Sequence, residues 1–228
     1  MASLFKRLKD INRVRETNLL IVSTILCFSL SIFRIQLSHN GSYFFLNWNL
    51  FLAFIPWLLS TLVLIYPAVQ NKKFSTIMLL FSWLLFFPNA PYILTDLFHL
   101  RHINSMPVWF DLTFILLFAW TGLLYGFLSL RNVEEIMTKK YNKYAARVCS
   151  ISLLFLAAFG VYLGRFLRWN SWDILHEPLG LIYDVAHRIV YPFQHPRTWG
   201  MTLFFGLFLN VVYWSIKLVQ NGEVVKGK

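Results

Sequence analysis

The sequence predicts an all-α integral membrane protein: a six-transmembrane-helix bundle with an outward-side amphipathic interfacial helix. Three observations carry that prediction. Hydrophobic residues make up 57% of the 228 residues and charged residues only 14%, where ordinary soluble domains have about 25% charged. Aromatic residues reach 18% and mean hydropathy is +0.57, more apolar surface than a 26.9 kDa globule can hide from water. Apolar runs of roughly 20 residues, the length that crosses a hydrocarbon core, recur along the chain. Soluble enzymes, disordered tails, collagen and disulfide scaffolds are excluded.

Taken in order, the spans fall at 18–38, 45–66, 74–94, 108–130, 146–166 and 199–219, in one transmembrane domain over 1–228. The first follows a basic stretch and so resembles a signal peptide. Its length and the lack of a small-residue cleavage site predict a retained helix instead. The third contains Pro88 and Pro91, which remove backbone donors and break helical turns. Freed backbone groups at membrane depth need a partner, and Asn89 is placed to supply one; a kink tolerated near the surface is the other reading. Spans four and five carry GxxxG pairs, Gly122/Gly126 and Gly160/Gly164, which predict close helix–helix partners. Cys27 and Cys149 sit alone in apolar runs and read as small buried hydrophobes.

Orientation follows from the basic residues. The side holding both termini collects every lysine plus Arg7, Arg13, Arg15, Arg131 and Arg147, which is 15 of the 21 basic residues. Arg34, Arg101, Arg165, Arg168, Arg188 and Arg197 fall opposite. Both termini are therefore expected in the cytoplasm. The net charge of +11 follows this division and forms no basic face of a soluble domain, so nucleic acid is not an expected partner. All six histidines fall on the outward side, with Asp96, Asp111, Asp173, Glu177 and Asp184. A site, if there is one, faces outward.

An Asp-x-x-His pattern occurs at Asp96/His99, Asp173/His176 and Asp184/His187. Residues three apart share a helix face, so the carboxylate can orient the imidazole as a base, or both can bind a metal. For any single pair, a salt bridge on a hydrated face is the commoner outcome. The candidate catalytic residues are Asp96, His99 and Asp173. The candidate ligands of a divalent metal ion are Asp96, His99, His176, Asp184 and His187. Arg165 and Arg168, one turn apart in GRFLRWNSWD, suit an anionic group, with Asn89 and Asn170 to orient it; anchoring at the interface is the alternative. Asp111 is expected to find a structural partner such as Arg101 or to take a catalytic role. His39, His102 and His195 read as surface residues, and Asn47 and Asn49 as interfacial.

Residues 173–193 alternate between two faces. Leu175, Leu179, Ile182, Ala186, Ile189 and Phe193 form one stripe, and Asp173, His176, Glu177, Asp184, His187 and Arg188 the other. Pro178 is expected to restart the helix, since proline suits a first helical position. The element predicts an amphipathic helix along the outer interface.

PNAPYILTDLFHL at 88–100 and GRFLRWNSWD at 164–173 resemble the two signature blocks of a bacterial membrane family catalogued as domain of unknown function 1361. The resemblance implies a multi-pass protein of the bacterial cytoplasmic (inner) membrane. It emphasises Asn89, Thr95, Asp96, His99, Arg165, Arg168, Asn170 and Asp173, and implies no activity. The expected function is an outward-facing, metal-dependent membrane enzyme, a hydrolase or group transferase acting on a phosphate-bearing or lipid-linked envelope substrate. The two blocks would converge in one pocket. A non-catalytic scaffold and a small transporter are the alternatives.

Overall fold

The computed structural model describes residues 6, 8, 9, 13–66, 72–100 and 106–226, with the backbone alone for Lys73 and 221–226. Arg101 and His102, for which roles were expected, lie outside the described residues. All regular structure among these residues is helical. The helices are α1 (Val14–Ser38), α2 (Phe45–Ile65), α3 (Lys73–Phe86), α4 (Asn89–Tyr92) and α5 (Val108–Lys140). They continue as α6 (Lys143–Leu167), α7 (Asp173–His176), α8 (Pro178–Val190) and α9 (Pro196–Lys226).

Six helical runs are long and apolar enough to cross a membrane: Val14–Ser38, Phe45–Ile65, Phe74–His99, Val108–Lys140, Lys143–Leu167 and Pro196–Gln220. Each matches an expected span, and the all-α, six-span bundle stands. The fourth runs well past its apolar stretch because RNVEEIMTKK consists mostly of good helix formers that continue the helix without hydrophobicity.

The chain divides into two compact units, Met1–Lys140 and Tyr141–Lys228. In the first, α5 supplies much of the core: Phe114, Ile115, Phe118 and Ala119 pack with Leu46, Leu50, Ala53, Ala90 and Ile93. The third span breaks where the prolines predict. Residues 87–88 form a turn, α4 follows, and a 3₁₀ segment runs over Ile93–His99. Asn89 Nδ2 donates to the carbonyl of Phe86 at 2.9 Å, so the freed oxygen is satisfied within the chain as expected.

Gly122 and Gly126 are what allow this broken segment to lie against α5. A Cβ on Gly126 would come within 2.8 Å of Ala90 Cβ, and one on Gly122 within 3.0 Å of the Ala90 carbonyl. Polar side chains join the spans: Trp83 Nε1 donates to Ser129 Oγ at 3.2 Å, and Asn132 Nδ2 to Thr61 Oγ1 at 3.1 Å.

In the second unit α6 starts under an N-cap, Asn142 Oδ1 accepting from the Ala145 N–H at 2.7 Å. It ends where Arg168 takes a left-handed conformation, φ 64°, turning the chain out of the helix. Pro178 opens α8 at its first position, as expected. The stripe residues Leu175, Leu179, Ile182 and Phe193 are 81%, 80%, 61% and 96% exposed, while Arg188 on the polar side is buried. Cys27 is a buried free thiol and Cys149 a half-buried one.

Candidate functional site

The first unit brings one Asp-x-x-His pair together. The 3₁₀ turn at 93–99 places Asp96 and His99 on one side of the chain. Asp96 is 1% exposed, and its Oδ2 accepts from Asn49 Nδ2 at 2.9 Å. His99 Nδ1 lies 3.9 Å from Asp96 Oδ1 and 3.3 Å from the Asp96 carbonyl oxygen. The His99 side chain is 40% exposed and stands against the Phe45 ring. Tyr43 Oη donates to its backbone carbonyl at 3.3 Å. Nδ1 therefore faces Asp96, and Nε2 is the nitrogen left to meet another molecule. A buried carboxylate behind a half-exposed imidazole differs from a salt bridge on a wet face, where both groups are solvated.

Beside this pair lies a buried charge clamp. Arg34 Nε and Nη2 donate to Asp111 Oδ1 and Oδ2 at 2.8 and 3.2 Å, with both side chains 1% exposed. The Tyr43 ring lies 4.4 Å from the guanidinium carbon. The partner that Asp111 finds among the described residues is Arg34; Arg101, named for it from the sequence, lies outside them. Both acceptor oxygens of Asp111 are engaged by one guanidinium, which makes the pair a brace for the helix ends.

In the second unit the other two pairs do not form. Asp173 Oδ2 accepts from the Asn170 backbone N–H at 2.6 Å and from Asn170 Nδ2 at 3.2 Å, closing the turn before α7. Both residues are thus bound to each other locally, and His176 is exposed. Asp184 accepts from Trp169 Nε1 at 2.7 Å and from Arg188 Nη1 at 2.9 Å. His187 turns away to His195, with Nδ1 and Nε2 2.8 Å apart. Partial burial, then the charges of Arg188 and His187, hold the His195 imidazole below its ordinary value, against the pull of Asp184. His195 was expected to be a plain surface residue and is instead half of an imidazole pair.

The donor sets bear on the expected metal. Among the described residues no group of three or more His, Cys, Asp or Glu could hold a metal ion. The physical reason is visible in the second unit: Asp184 is taken by Arg188 and Trp169, and His187 by His195. Within the second unit His176, Asp184 and His187 thus assemble no such ligand group, and in the first Asp96 and His99 are a pair only. Of the anion candidates, Arg168 is exposed at the end of α6 and Arg165 half-exposed in its last turn. Residues 88–100 and 164–193 belong to different units, so each half of the expected site stands on its own geometry.

A family model described as "Protein of unknown function (DUF1361)" matches residues 48–212. The chain belongs to this family. No curated protein and no solved structure matches it. The DUF1361 match includes Asn49, the Asp96–His99 pair and the whole 164–195 stretch.

Sequence reasoning missed Asn49, yet a signal was present. Residues two apart lie about 200° apart on a helix, so Asn47 and Asn49 cannot both face the surroundings of α2. Asn47 Nδ2 donates to Ser31 Oγ at 2.7 Å and Asn49 to Asp96. Arg34 carried a comparable signal, as a cation within an apolar run that demands a carboxylate.

Proposed function

We propose that this DUF1361 chain is an outward-facing membrane enzyme, a hydrolase or group transferase, acting on a phosphate-bearing or lipid-linked substrate. His99 is its acid–base residue. One observation carries the reading: Asp96 is 1% exposed and held by Asn49, while its partner imidazole stays open on the other edge. The Asp96 backbone carbonyl, 3.3 Å from Nδ1, fixes the tautomer of the histidine, and the buried carboxylate 3.9 Å away stabilises its cation as it takes a proton. His99 Nε2 would remove a proton from water or a substrate hydroxyl, then return it to the leaving oxygen. No step is routed through a metal, because among the described residues no three ligating side chains come together.

The membrane setting supports a lipidic substrate. Phe44, Trp48, Phe98 and Trp109, at the helix ends of the first unit, are 64%, 53%, 62% and 67% exposed. Such aromatic side chains favour the headgroup level. Charge asymmetry supports this end facing outward with both termini in the cytoplasm, and the family resemblance supports a bacterial inner membrane. In the second unit the exposed stripe of α8 lies in the bilayer interface as an amphipathic helix. The scaffold reading loses one support, since Gly122 and Gly126 are covered by Ala90 and Ile93 of the same chain.

The test compares lipid extracts of cells expressing the wild type, His99→Ala and Asp96→Asn at matched levels, by mass spectrometry. A headgroup product made by the wild type and missing from both variants is expected. The same lipid profile in all three would remove the proposal.

A further inference from the structure

In the second unit the pairing of α6 with α9 fixes which side chains meet at each end. Trp199 stacks on Phe159 with ring centroids 5.9 Å apart, Gly206 leaves room for the Phe155 ring, and Asn210 Nδ2 donates to the Ile151 carbonyl at 3.5 Å. Numbers rise along α9 as they fall along α6, so the helices are antiparallel. The next meeting in this series is Trp214 with Arg147, whose guanidinium carbon lies 5.5 Å from the indole centroid. Lys217, one turn further along α9, puts its ammonium 4.6 Å from the Trp214 centroid and 5.7 Å from that of Tyr213.

Two cations therefore share one indole. Their distances to it hold the charges within about 10 Å of each other, about one screening length in dilute salt, so each feels the other. The indole face attracts both but carries no net charge to neutralise them. Arg147 is exposed and makes no ion pair among the described residues. The described carboxylates of this unit, Asp173, Glu177 and Asp184, stand between the end of α6 and the start of α9, at the far end of both helices. Lys143, one turn before Arg147, adds a third positive charge at the near end. The adjoining surface is apolar: Tyr144 and Ile151, one turn either side of Arg147, and Val211, one turn before Trp214, are exposed. Both helices are long and apolar enough to cross a membrane. A surface with cations at the helix ends and apolar flanks below them matches a ligand with an anionic head and apolar tails; a free phosphate would use only half of it.

We propose that the Arg147–Trp214–Lys217 end of the α6–α9 pair binds an anionic phospholipid. Its phosphodiester lies between the guanidinium, whose planar fork can face two oxygens, and the ammonium, which acts as a point charge. Its acyl chains run along Tyr144, Ile151 and Val211. The site shares no residue with the Asp96–His99 pair, and its test reads no turnover.

The indole N–H resonance of Trp214 reports on the site, with Trp199 at the other end of α9 as the control. The full chain is placed in nanodiscs of phosphatidylcholine with a rising fraction of phosphatidylglycerol. A parallel arm adds soluble glycerophosphate to discs of phosphatidylcholine alone. A saturating shift of Trp214 with phosphatidylglycerol is expected, with Trp199 unmoved and glycerophosphate without effect. Arg147→Gln and Lys217→Gln should each raise the half-saturating fraction about fivefold, the effect of one basic residue at a lipid surface. Lys72→Gln removes a cation from the other unit and should leave it unchanged. The proposal is overturned by a Trp214 resonance that ignores phosphatidylglycerol, by an equal shift with glycerophosphate, or by a loss in Lys72→Gln as large as in Arg147→Gln.

Discussion

Asp96 and Asp184 stand in the same local pattern, each with a histidine three residues on, and finish in different roles. In the first unit the carboxylate is buried against an amide from another span and faces its histidine. In the second, an arginine one turn along and a tryptophan from the preceding loop take the carboxylate, and the histidine leaves for another histidine. Spacing puts two groups on one face; which neighbour is nearest, and how dry the place is, decides what they do. A guanidinium at i+4 outcompetes an imidazole at i+3 for a carboxylate.

The comparison can be broken by stability measurements on the purified protein. The largest effect is expected at the clamp beside Asp96. Asp111→Ala leaves the buried Arg34 guanidinium without its carboxylate and should cost about 3–5 kcal/mol, read from denaturant unfolding in detergent. If Asp184→Ala cost as much, the first unit would not be the more tightly built one. Next comes packing under the broken span. Gly126→Leu forces a side chain against Ala90, whose Cβ is 2.8 Å from the position of the new Cβ, and should cost about 1–3 kcal/mol. Gly200→Ala meets open space and should be close to neutral.

Acid sharpens the contrast in the second unit. The folded chain holds His195 below its ordinary value, so its neutral form is the one that fits the fold. Local stability is then present above the unfolded value, about 6.5, and is lost as pH falls through it and below. Amide protection over 187–196, the exchange rate relative to its intrinsic base-catalysed rate, should be greater at about pH 8 than at about pH 5, and that difference should vanish in His195→Gln. The smallest effect is expected at Asp173, which closes one turn; Asp173→Ala should cost about 1 kcal/mol or less. An Asp173→Ala loss rivalling that at Asp111 would mean the turn before α7 supports more than itself.

The fold was largely legible because its determinants are local and additive. Six apolar runs give six spans, Pro88 breaks the third where backbone donors are missing, and Pro178 restarts a helix where its ring fits. The site was legible only in part. The Asp96–His99 pair could be read because three residues of chain connect it. Asn49, 47 residues away in sequence, and Arg34, 77 residues from Asp111, meet their partners through helix packing, which periodicity in one strand of text does not encode. His195 was missed for a different reason: its partner His187 is near in sequence, but the intervening 3₁₀ turn at Pro192–Gln194 brings the rings together outside any helical spacing.

The most direct test sets the two aspartates against each other as catalysts. Wild type, Asp96→Asn and Asp184→Asn are placed in nanodiscs with a total lipid extract, and formation of the headgroup product is timed. Asp96→Asn should lose activity with its fold intact, and Asp184→Asn should keep it. Turnover that persists in Asp96→Asn while failing in Asp184→Asn would contradict the account.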